Sequence, residues 1–245
     1  MQYEDIKLAT FIERPNRFIA YCQLGDQRVT THVKNTGRGR EIFIPGVTVA
    51  LNYQPKPTRK TDYDLVAVKK DDKHWVNIDS QLPNLIVKEA LQAQQLHLPG
   101  MPELKRFKPE TVYDKSRIDF WAETVTGQDL WIEVKGVTLE NNGVVAFPDA
   151  PTVRAVKHVH ELIRAVSEGA ITYLLFVVQM DYAQRMTIYH QRAPKLAAAI
   201  QAAKAAGVHV VALDCNVTAK SVSLRRPVSF DLDAPFQEAQ SIEKE

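Results

Sequence analysis

The sequence has few features of secreted, membrane-bound or metal-stapled proteins. Its 245 residues include only two cysteines, Cys22 and Cys215, and neither belongs to a CxxC pair of the zinc or redox type. Each lies in an apolar run that predicts a small buried side chain. No apolar run reaches the ~18 residues of a membrane helix, and the N-terminus lacks the regions of a signal peptide. These absences predict a cytoplasmic protein without membrane association.

The excess of positive over negative charge is also small, although the charges are unevenly distributed along the chain. The formal net charge is +2. Residues 1–78 contain 13 Lys and Arg against 9 Asp and Glu, whereas residues 231–245 contain 1 against 5. The mildly basic N-terminal region suits a polyanionic partner. The acidic C-terminal segment has no strong periodicity, which is typical of a disordered tail.

Residues 1–78 predict a small β-barrel domain. Short runs rich in β-branched and aromatic residues alternate there with Gly, Pro and Asn breakers. Five such strands fit an OB-type barrel, and the pattern alone does not separate it from an SH3-like barrel. The predicted strands are Ile6–Ile12, Phe18–Leu24, Arg28–Val33, Val47–Tyr53 and Tyr63–Lys69.

Residues 79–230 predict a mixed sheet with helices on its faces, so the predicted fold class is α+β. Thr152 is the predicted N-cap of the second helix, and Gly169 follows its predicted end. Asp214 is predicted to be a turn residue. The predicted helices are Leu82–Leu96, Val153–Glu168 and Ala193–Ala206. The predicted strands are Arg106–Val112, Arg117–Glu123, Asp129–Val137, Ile171–Val178 and Val208–Leu213.

Two acidic residues and a lysine interrupt apolar strands in the segment Ser116–Thr138. Asp119 lies between two apolar residues, and Glu133 and Lys135 flank a third. Because side chains alternate along a strand, Glu133 and Lys135 project to the same face. A hairpin through Gly127 would bring Asp119 beside them. Charged residues rarely occupy such positions without a partner or a task.

The task that suits this trio is metal-dependent hydrolysis of phosphodiester bonds. Two carboxylates can hold Mg²⁺ or Mn²⁺, and such a metal polarises a phosphate and activates a water. A lysine can orient that water or offset charge in the transition state. The spacing D-x13-E-x-K matches the PD-(D/E)xK nuclease pattern, although acid-x-Lys also occurs as an ion pair on solvated strands. Glu89, on the preceding predicted helix, is either a further metal ligand or a helix-surface charge.

Several short motifs follow one another along the chain in a characteristic order. They are Asn35-Thr36-Gly37, Pro45-Gly46, Pro83-Asn84-Leu85, Glu89-Ala90, Ser116-Arg117-Ile118-Asp119-Phe120, Glu133-Val134-Lys135, Val137-Thr138-Leu139, Phe147-Pro148-Asp149-Ala150 and the helix set Thr152, Arg154, Lys157 and His158. In this order they resemble the sugar fermentation stimulation protein A family. The resemblance covers nearly the whole chain.

The resemblance implies an N-terminal OB-type domain followed by a PD-(D/E)xK nuclease-like α/β domain with a mixed central sheet. It implies a DNA-binding protein, and some family members are named as DNA/RNA nucleases. By matching position, it implies that Asp119, Glu133, Lys135 and Glu89 form the catalytic site, with the three acids as ligands of Mg²⁺ or Mn²⁺. The alternative function is a non-catalytic DNA-binding regulator of sugar (maltose) metabolism. The expected partner is DNA, with RNA as the alternative, and a homodimer is compatible with the sequence.

Basic and aromatic side chains near the loops of the predicted barrel are candidates for nucleic-acid contact. Such residues suit phosphate binding and base stacking, the alternative being ordinary solvated charge. The second domain adds Arg154 and Lys157, which share a helix face with His158 and Glu161. That face is either solvated or directed at the scissile phosphate. The barrel candidates are Arg14, Arg17, Phe18, Arg38, Arg40, Arg59 and Lys60.

Overall fold

Two domains, each built on one sheet, make up the computed structural model, which describes residues 1–35, 37–114, 116–150 and 152–239. Thr36, part of one motif quoted above, lies outside these residues, as does the end of the predicted tail, residues 240–245. Within the described ranges, no helix combines the length and apolar character that a membrane crossing requires.

The N-terminal domain is a five-stranded barrel that closes through parallel pairing of its third and fifth strands. Alternating side chains direct one row of each strand inward, and Phe11, Cys22 and Leu51 are among the buried ones. The strands are β1 (Ile6–Glu13), β2 (Ile19–Leu24), β3 (Gln27–Val33), β4 (Thr48–Tyr53), β5 (Tyr63–Lys70) and β6 (His74–Asn77). The closed strand order β1-β2-β3-β5-β4 agrees with the predicted OB-type barrel, and β6 extends the sheet.

The second domain is a nine-stranded mixed sheet with helices on both faces, which confirms the predicted α+β class. The helices are α1 (Leu82–Gln92), α2 (Val153–Ser167) and α3 (Pro194–Ala206). The strands are β7 (Leu104–Tyr113), β8 (Ser116–Thr124), β9 (Asp129–Val137), β10 (Glu140–Asn141), β11 (Val144–Phe147), β12 (Ile171–Val178), β13 (Arg185–Ile188), β14 (His209–Val217) and β15 (Val222–Phe230). Parallel strands β9, β12 and β14 form its centre.

Strand β12 shows why this sheet is buried on both faces. Its continuous apolar run lies between β9 and β14, as the sequence predicts for a central strand. Leu174 and Phe176 pack in the cluster that contains α2 and α3, whereas Tyr173 and Leu175 pack in the cluster that contains α1. Neighbouring side chains along β9 alternate in the same way between the face that carries α1 and the face that carries α2 and α3.

The predicted ends of the second and third helices are confirmed. The side chain of Thr152 accepts a hydrogen bond of 3.2 Å from the backbone N–H of Ala155 and so caps α2. Gly169 and Gly207 follow α2 and α3 with φ of 92° and 99°. Glycine suits these positions because a Cβ atom strains the left-handed conformation.

The two domains share a hydrophobic core. Ala50 and Val66 of the barrel belong to the same buried cluster as Ile86 of α1. Beside this cluster, the side-chain amide of Gln179 donates to the backbone carbonyls of Asn77 and Asp79, each at 3.1 Å. The barrel therefore packs directly against the face of the sheet that carries α1.

Five strands were not among the sequence predictions, and their composition explains why. Strands β6, β10, β11 and β13 have four residues or fewer, too few to show a period. The fifth, β15, contains Arg225-Arg226-Pro227 and reads as polar. Tertiary pairing with β14, rather than local propensity, forms that strand.

Asp214 is not the turn residue that the sequence suggested. It lies inside β14 with no exposed surface. Its carboxylate accepts hydrogen bonds from the guanidinium groups of Arg225 and Arg226 on the neighbouring strand. Cross-strand pairing therefore satisfies this buried charge.

The acidic C-terminal segment makes defined contacts over residues 231–239, which differs from the predicted disordered tail. Phe236 is buried against Tyr189, with ring centroids 5.1 Å apart. The hydroxyl of Thr187 donates to the carbonyl of Ala234 at 3.1 Å. This part of the tail therefore packs onto the second domain.

Candidate active site

Asp119 lies where strands β8 and β9 separate. The pairing of the two strands ends at Phe120 and Ile132. Beyond it, the carboxylate of Asp119 accepts a hydrogen bond of 2.8 Å from the backbone N–H of Val134, and a second of 2.8 Å from the side-chain amide of Asn84 on α1. A side chain thus takes the place of a backbone partner, and it joins both strands to the first helix.

Glu133 is the most buried member of the predicted trio, with 1% of its surface exposed. The ammonium of Lys135 and Nδ1 of His158 both contact its Oε1 atom. Its other oxygen, Oε2, is buried and accepts no hydrogen bond from any residue in the described ranges. The predicted same-face projection of Glu133 and Lys135 is what brings these two groups together.

The two carboxylates differ in how their surroundings affect ionisation. Burial, and then the charge of Glu133, raise the pKa of Asp119 above its ordinary value. Burial also acts to raise the pKa of Glu133, but the hydrogen bond from His158 and the charge of Lys135 outweigh it and lower that pKa. These contacts favour the ionised form of Glu133, and its negative charge disfavours ionisation of Asp119.

His158 is a site residue that the sequence reading did not single out. With Glu161, it was assigned to the same helix face as Arg154 and Lys157. The structure buries His158 and Glu161 toward the sheet and leaves Arg154 and Lys157 exposed. The signal that would have found His158 is its spacing, i+3 from Ala155 on the buried stripe of α2.

Glu89 does not join the trio. Its side chain is 52% exposed, and its carboxylate lies 2.6 Å from the N-terminal ammonium of Met1. The α1 residue that reaches the site is Asn84, in the first turn of the helix. The predicted helix acid is therefore a surface ion pair, and an amide occupies the position facing Asp119.

The described residues contain no group of three or more His, Cys, Asp or Glu side chains placed to hold a metal. The candidate centre consists instead of two carboxylates, those of Asp119 and Glu133, with Lys135 beside them. Such a centre offers a cation two protein ligands.

The barrel candidates divide into exposed residues and residues that support loops. Arg17, Arg38 and Arg40 are exposed and line a cavity of about 380 Å³. Arg14 lines it as well, but its guanidinium donates to four backbone carbonyls, those of Arg17, Asn35, Gly37 and Arg38. Its own contacts therefore hold two loops together.

Three further candidates lie elsewhere on the barrel. Arg59 forms an ion pair with the buried carboxylate of Asp64, so its guanidinium group already has a partner within the barrel. Phe18 and Lys60 are exposed. In the second domain, Arg154 and Lys157 line a cavity of about 470 Å³ together with Ser116 and Arg117.

Fold and site together define a class: an OB-type barrel fused to a mixed α/β sheet that carries an Asp–Glu–Lys cluster at diverging strands. Two family models match the chain, the SfsA N-terminal OB domain over residues 12–78 and the sugar fermentation stimulation protein RE domain over residues 81–221. The chain belongs to the sugar fermentation stimulation protein (SfsA) family.

Relatives that match this chain over nearly their whole length carry the same family name. The chain is 48% identical to the sugar fermentation stimulation protein homolog of Enterococcus mundtii, covering 97% of this chain and 99% of the relative. It is 43% identical to the homolog of Lacticaseibacillus casei, covering 97% and 98%. The fold matches that of Pyrococcus furiosus SfsA, solved in complex with Ca²⁺, with a TM-score of 0.81 at 24% identity and coverage of 95% and 98%.

Proposed function

We propose that this protein binds nucleic acid and hydrolyses phosphodiester bonds in DNA or RNA at Asp119, Glu133 and Lys135, with Mg²⁺ or Mn²⁺ as its metal. The observation that carries the proposal is the Oε2 atom of Glu133, buried without a donor in the described ranges. A buried ionised oxygen is costly unless a partner binds it. A cation bound between this atom and Asp119 would supply that partner.

The donor set fits the proposed metals. Mg²⁺ commonly binds through one or two carboxylates and completes its shell with waters and substrate phosphates, and this centre offers two carboxylates. Burial and the negative charge of Glu133 raise the pKa of Asp119. A cation bound between the two carboxylates would offset both effects. Ca²⁺, present in the Pyrococcus furiosus relative, shares the preference for oxygen ligands.

Each member of the trio has a separate role. Asp119 and Glu133 hold the metal, with Asp119 oriented by Asn84 and by the backbone of Val134. The metal supplies Lewis acidity toward the phosphate and lowers the pKa of a water. Lys135 places a positive charge beside Glu133, where it can orient the attacking water and offset charge in the transition state.

The nucleic acid would follow the exposed basic residues on both domains. Arg17, Arg38 and Arg40 suit contact with phosphates, and the exposed ring of Phe18 suits base stacking. Arg154 and Lys157 line a cavity together with His158 of the site, and their positive charges suit contact with a phosphate.

The test is a cleavage assay on single- and double-stranded DNA and RNA with Mg²⁺ or Mn²⁺. Wild type should cleave at least one of these substrates. Glu133→Gln and Lys135→Met should lose activity by about 10²–10³-fold, the size expected when one electrostatic contributor is removed. Glu89→Gln is the control, because its carboxylate pairs with the N-terminus, and it should keep full activity.

Equal activity in wild type, Glu133→Gln and Lys135→Met would overturn the assignment of the site. Tight binding of DNA by wild type without cleavage of any substrate would also reject catalysis. That result would support the second candidate, a DNA-binding regulator that uses the nuclease-like fold as a scaffold.

A further inference from the structure

His158 connects the buried carboxylate of Glu133 to the exposed surface of α2. Its side chain is 4% exposed. On one side of the ring, Nδ1 contacts Oε1 of Glu133. On the other side, Nε2 lies 3.4 Å from Nε of Arg154.

These two neighbours determine which ring nitrogen carries the proton. A guanidinium group only donates hydrogen bonds, so Nε2 of His158 acts as the acceptor toward Arg154. The carboxylate of Glu133 forms an ion pair with Lys135, and an ionised carboxylate only accepts hydrogen bonds. Nδ1 is therefore the nitrogen that carries the hydrogen, and it donates to Oε1 of Glu133.

The donation to Oε1 has a consequence for the other carboxylate oxygen. Lys135 contacts the same Oε1 atom, so both donors hold one oxygen and leave Oε2 without a partner in the described ranges. Of the two, only His158 is fixed by burial, since Lys135 lies on a partly exposed face. The ring of His158 is thus the rigid element that sets the rotation of the carboxylate.

We propose that His158 is a positioning residue, which uses Nδ1–H to hold Glu133 with Oε2 directed at the metal. Arg154 reinforces this tautomer by donating to Nε2. This inference rests on the proposed function, because it assigns a role toward the same metal centre. Residues that orient metal ligands through hydrogen bonds affect metal affinity although they never touch the metal.

The experiment measures Mn²⁺ binding by calorimetry, without nucleic acid, for wild type, His158→Asn and His158→Gln. Both substitutions place an amide in the same buried space. The amide nitrogen of asparagine can occupy the position of Nδ1, whereas that of glutamine lies one methylene further out. His158→Asn should bind close to wild type, and His158→Gln should bind about 10- to 100-fold more weakly.

A second readout is the tautomer itself, observed by nitrogen NMR of the histidine ring in the metal-free wild type. The hydrogen should be on Nδ1, and this preference should weaken but persist in Arg154→Met, because Glu133 alone then favours it. A hydrogen on Nε2 in wild type would overturn the inference, as would equal Mn²⁺ affinity in all three proteins. Failure of wild type to bind Mn²⁺ at all would instead reject the metal centre of the proposed function.

Discussion

Asp119 links the electrostatics of the site to the stability of the folded protein. Its ordinary pKa is 3.8, and burial together with the charge of Glu133 raises it in the fold. Between these two pKa values the folded protein holds a proton that the unfolded chain has released. The free energy of unfolding therefore falls as pH rises through this window, and above it the ionised carboxylate remains a constant cost.

Replacing Asp119 with Asn should remove that cost. In EDTA at neutral pH, we expect Asp119→Asn to have a higher Tm than wild type, because the amide carries no charge. Its oxygen can still accept from Val134, and the Asn84 amide can turn so that its own oxygen accepts from the new NH2 group. Near pH 3, where Asp119 is protonated in both states, the difference should largely disappear. Thermal unfolding followed by circular dichroism at the two pH values measures both effects.

Mn²⁺ should reverse the order of the two proteins at neutral pH. A cation that binds only the folded state raises Tm, and the rise is larger when the cation binds more tightly. Asp119→Asn removes one of the two carboxylate ligands and should therefore gain less from Mn²⁺. The opposite result would be a wild type that is less stable than the variant in EDTA and whose Tm, like that of the variant, does not change with Mn²⁺. It would mean that the carboxylate pair is not a metal site.

The residues of the site were predictable to different degrees. Asp119, Glu133 and Lys135 stand out because charge is rare in apolar strands, and alternation alone placed two of them together. Asn84 carries no such signal, since an amide in the first turn of a helix is ordinary. Its role depends on the distance between α1 and β8, which only the tertiary fold sets. Glu89 was misassigned for the same reason.

Helix α2 is the element on which the inferred role of His158 depends. Thr152 caps it by accepting from the N–H of Ala155, one of four N–H groups that a helix start leaves unpaired. Thr152→Ala should lower the free energy of unfolding by about 1 kcal/mol. Urea unfolding monitored by circular dichroism gives this value directly.

Thr152→Ser is the matched control for the cap. It keeps a hydroxyl that can accept the same hydrogen bond, so its stability should lie near that of wild type. Equal loss in the serine and alanine variants would show that the methyl group of Thr152, and not its hydroxyl, stabilises this end of the helix.

At the scale of elements, length and periodicity decided what could be predicted. The apolar run of β12 and the capped helix α2 were placed within one residue of their ends, because local pattern and tertiary environment agree there. Strand β15 was missed because its sequence is polar and its pairing partner, β14, supplies the reason for its conformation. Short strands such as β13 depend on the same long-range pairing.

For the whole molecule, the least predictable feature is the interface between the barrel and the second domain. Composition suggested two separate units, yet Ala50 and Val66 share a buried cluster with α1. An ion pair between Lys70 of β5 and Glu140 of β10 also joins the domains. The carboxylate of Glu140 is 3% exposed and additionally accepts a hydrogen bond from Tyr182 at 3.2 Å.

Removing the lysine of this pair should destabilise both domains together. Lys70→Met leaves the buried charge of Glu140 without its cation, which typically costs about 3–5 kcal/mol. We expect the lower end of that range, because Tyr182 still donates to the carboxylate. The measurement is urea unfolding followed at once by circular dichroism and by tryptophan fluorescence, and the shared core predicts that the two signals change in one transition.

Two further variants separate the buried charge from lost packing. Lys70→Met combined with Glu140→Gln removes both charges and should recover most of the stability, since no uncompensated ion remains. Lys69→Met affects only a pair with Asp72, which is 88% exposed, so its effect should stay within about 1 kcal/mol. If the double variant were no more stable than Lys70→Met, the loss in Lys70→Met would not come from an uncompensated charge on Glu140.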